Sequence, residues 1–142
     1  MAMRARGCRK LLLVMPAVSP FAPDDAGAVA ELCRAEGWDF WDDRGAVARA
    51  LTAPGVITLV ARESDAVVGA VQVITDGEIN WIIGMLIVAP AHRGKGIGTG
   101  LVEAAFAASG ARRLDLLTED TGPRFYRRLE GREMVGFRLY SS

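Results

Sequence analysis

The sequence predicts a mixed α/β domain, and three observations carry that expectation. Strand-like and helix-like runs interleave along the chain in the order β-α-α-β-β-β-α-β-α-β. Between Val56 and Val88 three strand-like runs follow one another with only turns between them, the pattern of an antiparallel meander. The chain's 142 residues, 51% hydrophobic and 24% charged, are enough for one core without a metal or disulfide staple. No repeat, low-complexity tract or linker divides them, so a single domain over 1–142 is expected.

Residues 11–18 read as the first strand. Basic residues 4–10 followed by Leu11 to Met15 imitate a signal peptide, but the apolar run is short, Pro16 interrupts it and Asp24-Asp25 soon follow. Pro23-Asp24-Asp25 open a helix with Asp24 as candidate N-cap, and Gly37 sits where a left-handed cap belongs. A second helix is expected from Asp42 to Leu51, stopped by Pro54-Gly55. Val56 to Arg62 and Ala66 to Thr75 are strands joined by a turn at Glu63-Ser64-Asp65. Asp76-Gly77 reads as a two-residue hairpin turn, and Glu78 to Val88 as the third strand. Thr99 to Ser109 is a helix stopped by Gly110; Leu114 to Thr118 is a strand. Pro123, suited to a first helical position, opens a helix to Glu130, and Glu133 to Tyr140 is a last strand.

Composition excludes several classes. The formal charge is zero, 17 basic against 17 acidic groups, so a generally basic nucleic-acid binder is not expected. The zero is uneven along the chain. Residues 11–92 carry four basic and eleven acidic groups, and residues 93–142 carry nine basic and six acidic. The longest apolar stretch, Ile79 to Ala91, is shorter than the ~20 residues a membrane helix needs. Cys8 and Cys33 make neither a metal spacing nor a disulfide framework, which fits a reducing cytoplasmic setting without a metal.

The chemistry signal is the stretch Val88-Ala89-Pro90-Ala91-His92-Arg93-Gly94-Lys95-Gly96-Ile97-Gly98-Thr99, which joins a buried strand to a helix. Glycines at alternate positions leave backbone N–H groups uncovered, and the helix N-terminus behind them adds about half a positive charge. Together they form a cradle for a phosphate or pyrophosphate, with Arg93 and Lys95 at its rim. A Walker A loop is excluded because Gly96, not Ser or Thr, follows Lys95. The dinucleotide fingerprint fails because its third glycine would fall at Thr99 or Leu101.

Arg93-x-x-Gly96-x-Gly98 resembles the acyl-CoA pyrophosphate loop of the GNAT N-acetyltransferase superfamily, and Val88-x-Pro90 matches its flank. Phe21 to Phe40 resembles the family's first helix, and Phe125-Tyr126-Arg127-Arg128-Leu129 its late Phe-Tyr motif. The resemblance implies a mostly antiparallel sheet with helices on both faces, and acetyl-CoA lying where two strands splay. Backbone groups of Leu86, Ile87 and Val88 would bond the pantetheine arm, and Arg93, Gly94, Lys95, Gly96, Ile97, Gly98 and Thr99 would hold the pyrophosphate. A primary amine would attack the thioester directly, a strand N–H near a bulge would stabilise the oxyanion, and Tyr126 would protonate the departing thiolate.

Bland rivals stand beside these roles. Tyr126 could simply pack one helix face. His92, the only histidine, reads as a solvent-facing loop residue, and Cys33 as core, since no second histidine exists to activate it.

Two departures from the family pattern stand out. Gly84-Met85 occupy the strand positions where many relatives carry a polar-acidic pair, so the general base is unassigned. Glu78, eight residues from Leu86, is roughly 26 Å away along a strand and out of reach. Asp39, Asp42, Asp43, Glu119 or a water chain remain. The chain also ends after one further strand, leaving a shortened final sheet or one completed in a homodimer. Asp39, Asp42 and Asp43 beside Trp38, Phe40 and Trp41 suggest a cationic acceptor bound through Asp39, Trp41 and Asp43. The second functional reading is a non-catalytic acyl-CoA-binding module of the same fold.

Overall fold

The computed structural model describes residues 16–119 and 122–142. Strand β1 (Ala17–Pro20) pairs antiparallel with β2 (Val56–Glu63), from Ala17 opposite Arg62 to Pro20 opposite Leu59. The expected strand over 11–18 therefore continues two residues further, and its part over 11–15 lies outside the described residues.

A 3₁₀ turn at Pro23–Asp25 leads into α1 (Ala26–Ala35). Asp24 is exposed and is not the cap. The buried Asp25 reaches back instead: Oδ2 accepts from the Ala22 N–H at 2.8 Å and from the Arg62 guanidinium at 2.6 Å, tying the helix start to β2. Gly37, at φ +78°, closes the helix as expected. A second 3₁₀ turn covers Asp39–Trp41, and α2 spans Arg44–Leu51. It starts later than Asp42 because the Asp43 carboxylate accepts from the Ala46 N–H at 2.6 Å and so caps the helix.

The meander is present, with its turns exchanged. β2 joins β3 (Ala66–Thr75) through Ser64 and Asp65, both at positive φ, 48° and 68°, as a two-residue type I′ turn requires. Asp76-Gly77 does not make such a turn. Asp76 Oδ1 accepts from the N–H groups of Glu78, Ile79 and Asn80 at 2.8–3.0 Å, which holds its carboxyl well below the usual range. Those N–H groups are lost to the ladder, so β4 begins at Trp81 and runs to Val88.

Helix α3 spans Ile97–Ser109 and ends on Gly110 at φ +67°. β5 (Asp115–Leu116) lies parallel to β4, and α4 (Pro123–Arg127) is shorter than expected because Glu130 turns at φ +57°. The strand expected over 133–140 does not form. Arg138 approaches Glu119 at 3.4 Å, but Met134, Val135, Phe137, Leu139 and Tyr140 stay exposed with no ladder partner among the described residues. The sheet order is β1-β2-β3-β4-β5, antiparallel except at its last pair.

Helices cover both faces of this sheet. Val29, Ala30 and Cys33 of α1 and Val47 and Leu51 of α2 pack on Val60, Ala70, Met85 and Ile87. Leu101, Val102 and Ala105 of α3 pack on Leu59, Ala61, Val71, Val73 and Ile83. Ile83 and Met85 should share a face by strand alternation, yet they point into opposite cores. Gln72 pairs with Met85 and Val73 with Ile83, so Gly84 is an extra residue in β4, a β-bulge that inverts the pattern beyond it.

Candidate active site

The bulge stands where β4 loses a neighbour. β5 pairs only with Ile82 and Ile83, whereas β3 follows β4 to Val88. From Gly84 to Val88, about 13 Å of strand, one edge of β4 has no ladder partner among the described residues. The Ala89 N–H donates to Val68 at 2.8 Å, on the β3 side. Backbone groups alternate along a strand, so Ile87 and Met85 also bond toward β3 while Leu86 and Val88 face the open edge. Of the three strand residues expected to bond a ligand arm, Leu86 presents both main-chain groups there and Val88 its N–H, its carbonyl oxygen being taken by Arg93 Nε; Ile87 presents none, and its side chain is in the α1/α2 core.

The open edge runs into the glycine-rich turn. Gly94 and Gly96 have φ of +74° and +84°, and a Cβ at either would meet nothing within 4 Å, so their backbone is uncovered. Gly96 is the N-cap of α3 and provides no side-chain cap, leaving the first-turn N–H groups of Ile97, Gly98 and Thr99 without intrahelical partners. This is the donor set an anion needs. Lys95 is exposed at the rim.

Arg93 does not point freely into solvent. Its Nε donates to the Val88 carbonyl oxygen at 3.0 Å, and its guanidinium pairs with Glu36 just beyond α1. His92, expected to face solvent, has a side chain 27% exposed, with Nδ1 2.7 Å from Glu63 Oε2. The loop is thus held to both β2 and α1. Glu36 could not be recognised from the sequence, since 57 residues separate it from Arg93.

Beside this turn lies α4. The Phe125 ring packs directly on Gly98, where a Cβ would come within 3.1 Å of it. Tyr126 meets Phe125 edge-on, with ring centroids 5.0 Å apart. Phe125 thus ties the helix that carries Tyr126 to the first turn of α3. Burial pushes its phenol above the ordinary 10.0, so it stays protonated and able to donate at neutral pH.

The acidic, aromatic loop sits between α1 and α2. Asp39 and Phe40 are exposed, Phe40 at 94%, while Trp41 packs against the α1/α2 core and Asp43 is engaged as the helix cap. Glu119 contacts Arg138 at 3.4 Å. Cys33 lies against Met85, Sγ to Sδ 3.9 Å, and burial with the Glu36 charge pushes its thiol up to about 11, so it is core rather than nucleophile. Among the described residues no group of three or more His, Cys, Asp or Glu is placed to hold a metal, and no helix is long and apolar enough to cross a membrane.

Comparison with known proteins agrees with this layout. The acetyltransferase (GNAT) domain family matches residues 54–130. Among solved structures, a GNAT-family acetyltransferase from Streptococcus pneumoniae superposes with a TM-score of 0.73 at 24% identity, over 89% of this chain and 98% of the other. A ribosomal-protein-alanine N-acetyltransferase from Brucella melitensis does so at 0.73 and 18%, over 89% and 98%. An aminoglycoside acetyltransferase from an uncultured soil sample, in complex with sisomicin, gives 0.70 and 15%, over 90% and 97%. At these identities the structures speak for the fold alone. A comparison with curated proteins finds no match. The family match spans more than half of the chain, from the meander through the glycine-rich turn to the Tyr126 helix: this protein belongs to the GNAT acetyltransferase family.

Proposed function

We propose that the protein transfers an acetyl group from acetyl-CoA to the nitrogen of a primary amine. The observation that carries this reading is the continuity of the open β4 edge, Gly84 to Val88, with the uncapped N-terminus of α3. The main-chain groups of Leu86 and the Val88 N–H bond the amides of the pantetheine arm as a neighbouring strand would. The N–H groups of the segment Arg93 to Thr99 take the pyrophosphate, with Lys95 adding charge. Arg93 contributes through the loop it braces.

An amine entering from the α1/α2 side attacks the thioester carbonyl. The new N–C bond forms first and gives a tetrahedral oxyanion; the amine loses one N–H proton to water, and collapse of the oxyanion breaks the C–S bond. Tyr126 donates its hydroxyl proton to the departing thiolate and is reprotonated from solvent. Main-chain N–H groups at the bulge stabilise the oxyanion. The N-acetyltransferase name of the Brucella structure supports nitrogen as the accepting atom.

A second reading, an acyl-CoA-binding module without turnover, is favoured by Gly84-Met85, which put no titratable side chain at the bulge. The chain acts inside the cell on a soluble or protein-borne amine, with no nucleic acid or membrane partner. A screen of primary amines for CoA thiol release separates the readings: release identifies the transferase, while acetyl-CoA binding with no release from any amine identifies the module.

A further inference from the structure

We infer that Gln72 receives and orients the acceptor amine, and that the acceptor is a primary amine arriving neutral on an apolar stem. The inference rests on the acetyl-transfer reading above. Gln72 lies on β3 opposite Met85, beside the bulge, and is 4% exposed. The two other polar residues buried as deeply are engaged: Asp25 holds the Ala22 N–H and Arg62, and the Thr58 hydroxyl donates to Leu51 at 2.9 Å. Gln72 is not. Its Nε2 reaches the Ala50 carbonyl only at 3.5 Å, and no described residue donates to Oε1. With Nε2 turned to Ala50 and no donor from the described residues on Oε1, that oxygen is free to accept a hydrogen bond from a ligand.

That oxygen is aimed at the bulge. A Cβ on residue 84 would lie 2.5 Å from Gln72 Oε1 and 3.0 Å from Ile74 Cδ1. Glycine at 84 leaves room for the carboxamide. Ile74 and Ile82 face each other across β3 and β4 on the same side of the sheet, each 45% exposed. The acceptor oxygen is therefore at the inner end of an exposed apolar floor, at the level where β5 leaves β4.

Oε1 accepts one amine N–H and leaves the lone pair directed at the thioester carbon. An amide oxygen is too weak a base to take the proton released as the N–C bond forms, so that proton goes to water. Turnover then follows the neutral fraction of each acceptor, and Ile74 and Ile82 favour amines with apolar first carbons.

The test uses the full chain with two amines: isopentylamine, the stronger base and more apolar, and glycinamide, the weaker base. The expected kcat/KM rises with pH, with a midpoint that moves with each amine's own pKa. Isopentylamine is the better substrate at equal neutral fraction. Gln72→Met, similar in length but without the acceptor, raises the isopentylamine KM about tenfold or more, with acetyl-CoA affinity unchanged. Gln72→Glu returns the acceptor oxygen and lowers that KM again. If Gln72→Met does not fold, Gly84→Ala displaces the carboxamide and raises the same KM. An unchanged acceptor KM in a folded variant overturns the inference, as does acetyl-CoA binding by the wild type with transfer to neither amine. Failure to bind acetyl-CoA overturns the acetyl-transfer reading instead.

Discussion

Arg93 Nε donates to the Val88 carbonyl oxygen at 3.0 Å, so the loop that follows β4 is pinned to the end of the strand it leaves. The same guanidinium pairs with Glu36, joining that loop to the far side of the sheet. The cationic residue of the glycine-rich motif thus acts on the shape of the cradle. Arg93→Met should weaken acetyl-CoA binding about tenfold or more, from loss of a charge-assisted bond and the loop geometry it holds. Glu36→Gln should cost less than about 1 kcal/mol of stability, because Arg93 is 49% exposed and solvent screens the pair. Calorimetric titration and urea unfolding of both variants check this; equal effects would contradict it.

Gly96 and Gly98 serve different needs. Gly96 sits at φ +84° in open space, so Gly96→Ala meets only backbone strain, about 1 kcal/mol. A Cβ at Gly98 meets the Phe125 ring at 3.1 Å, so the ring, and Tyr126 packed on it, must give by a few tenths of an ångström. Gly98→Ala should therefore cut turnover by more than its stability loss explains, measured as kcat beside the unfolding midpoint.

Tyr126→Phe should lower kcat about 10²-fold with acetyl-CoA affinity within about twofold. In the wild type the acid limb of donation should persist to alkaline pH, since burial holds the phenol above 10.0. The sign for stability follows: folded and unfolded chains both keep the proton below pH 10.0, and above it the unfolded chain ionises first, so stability falls as pH rises. Stopped-flow thiol release against pH checks the first point and unfolding at alkaline pH the second.

Asp43 was legible in the sequence as part of an acidic cluster, and the structure gives it a cap. Asp43→Ala should lose about 1 kcal/mol and Asp43→Asn only a few tenths, since Asn also accepts from Ala46. An acceptor-binding role for its charge predicts in addition that Asp43→Asn raises the acceptor KM. Thermal unfolding and amine kinetics of the two variants separate cap from charge.

Local signals carried most of the architecture. The β-branched runs, Gly37 and Gly110 as helix stops and the alternating glycines lie within a few residues of what they determine, and each could be read in the sequence. What could not be read depends on distant partners. Asp76 and Ser64-Asp65 compete for the tight turn, and only the three N–H groups gathered by Asp76 decide it. The bulge at Gly84 depends on the Gln72–Met85 register, so the inversion that buries Met85 is invisible in β4 alone. The Glu133–Tyr140 run has strand composition, but β5 is two residues long and gives it no ladder to join. Glu36 and Gln72 reach the site through the fold, and neither belongs to a motif.

The central claim is that the open β4 edge and the uncapped start of α3 form one acyl-CoA site, and its most direct test is thermal unfolding of the full chain against acetyl-CoA concentration. At about 100 times Kd the ligand should add about 2.7 kcal/mol, raising Tm by roughly 5–10 °C, with a smaller rise for Arg93→Met. A Tm that does not move at millimolar acetyl-CoA would contradict the account.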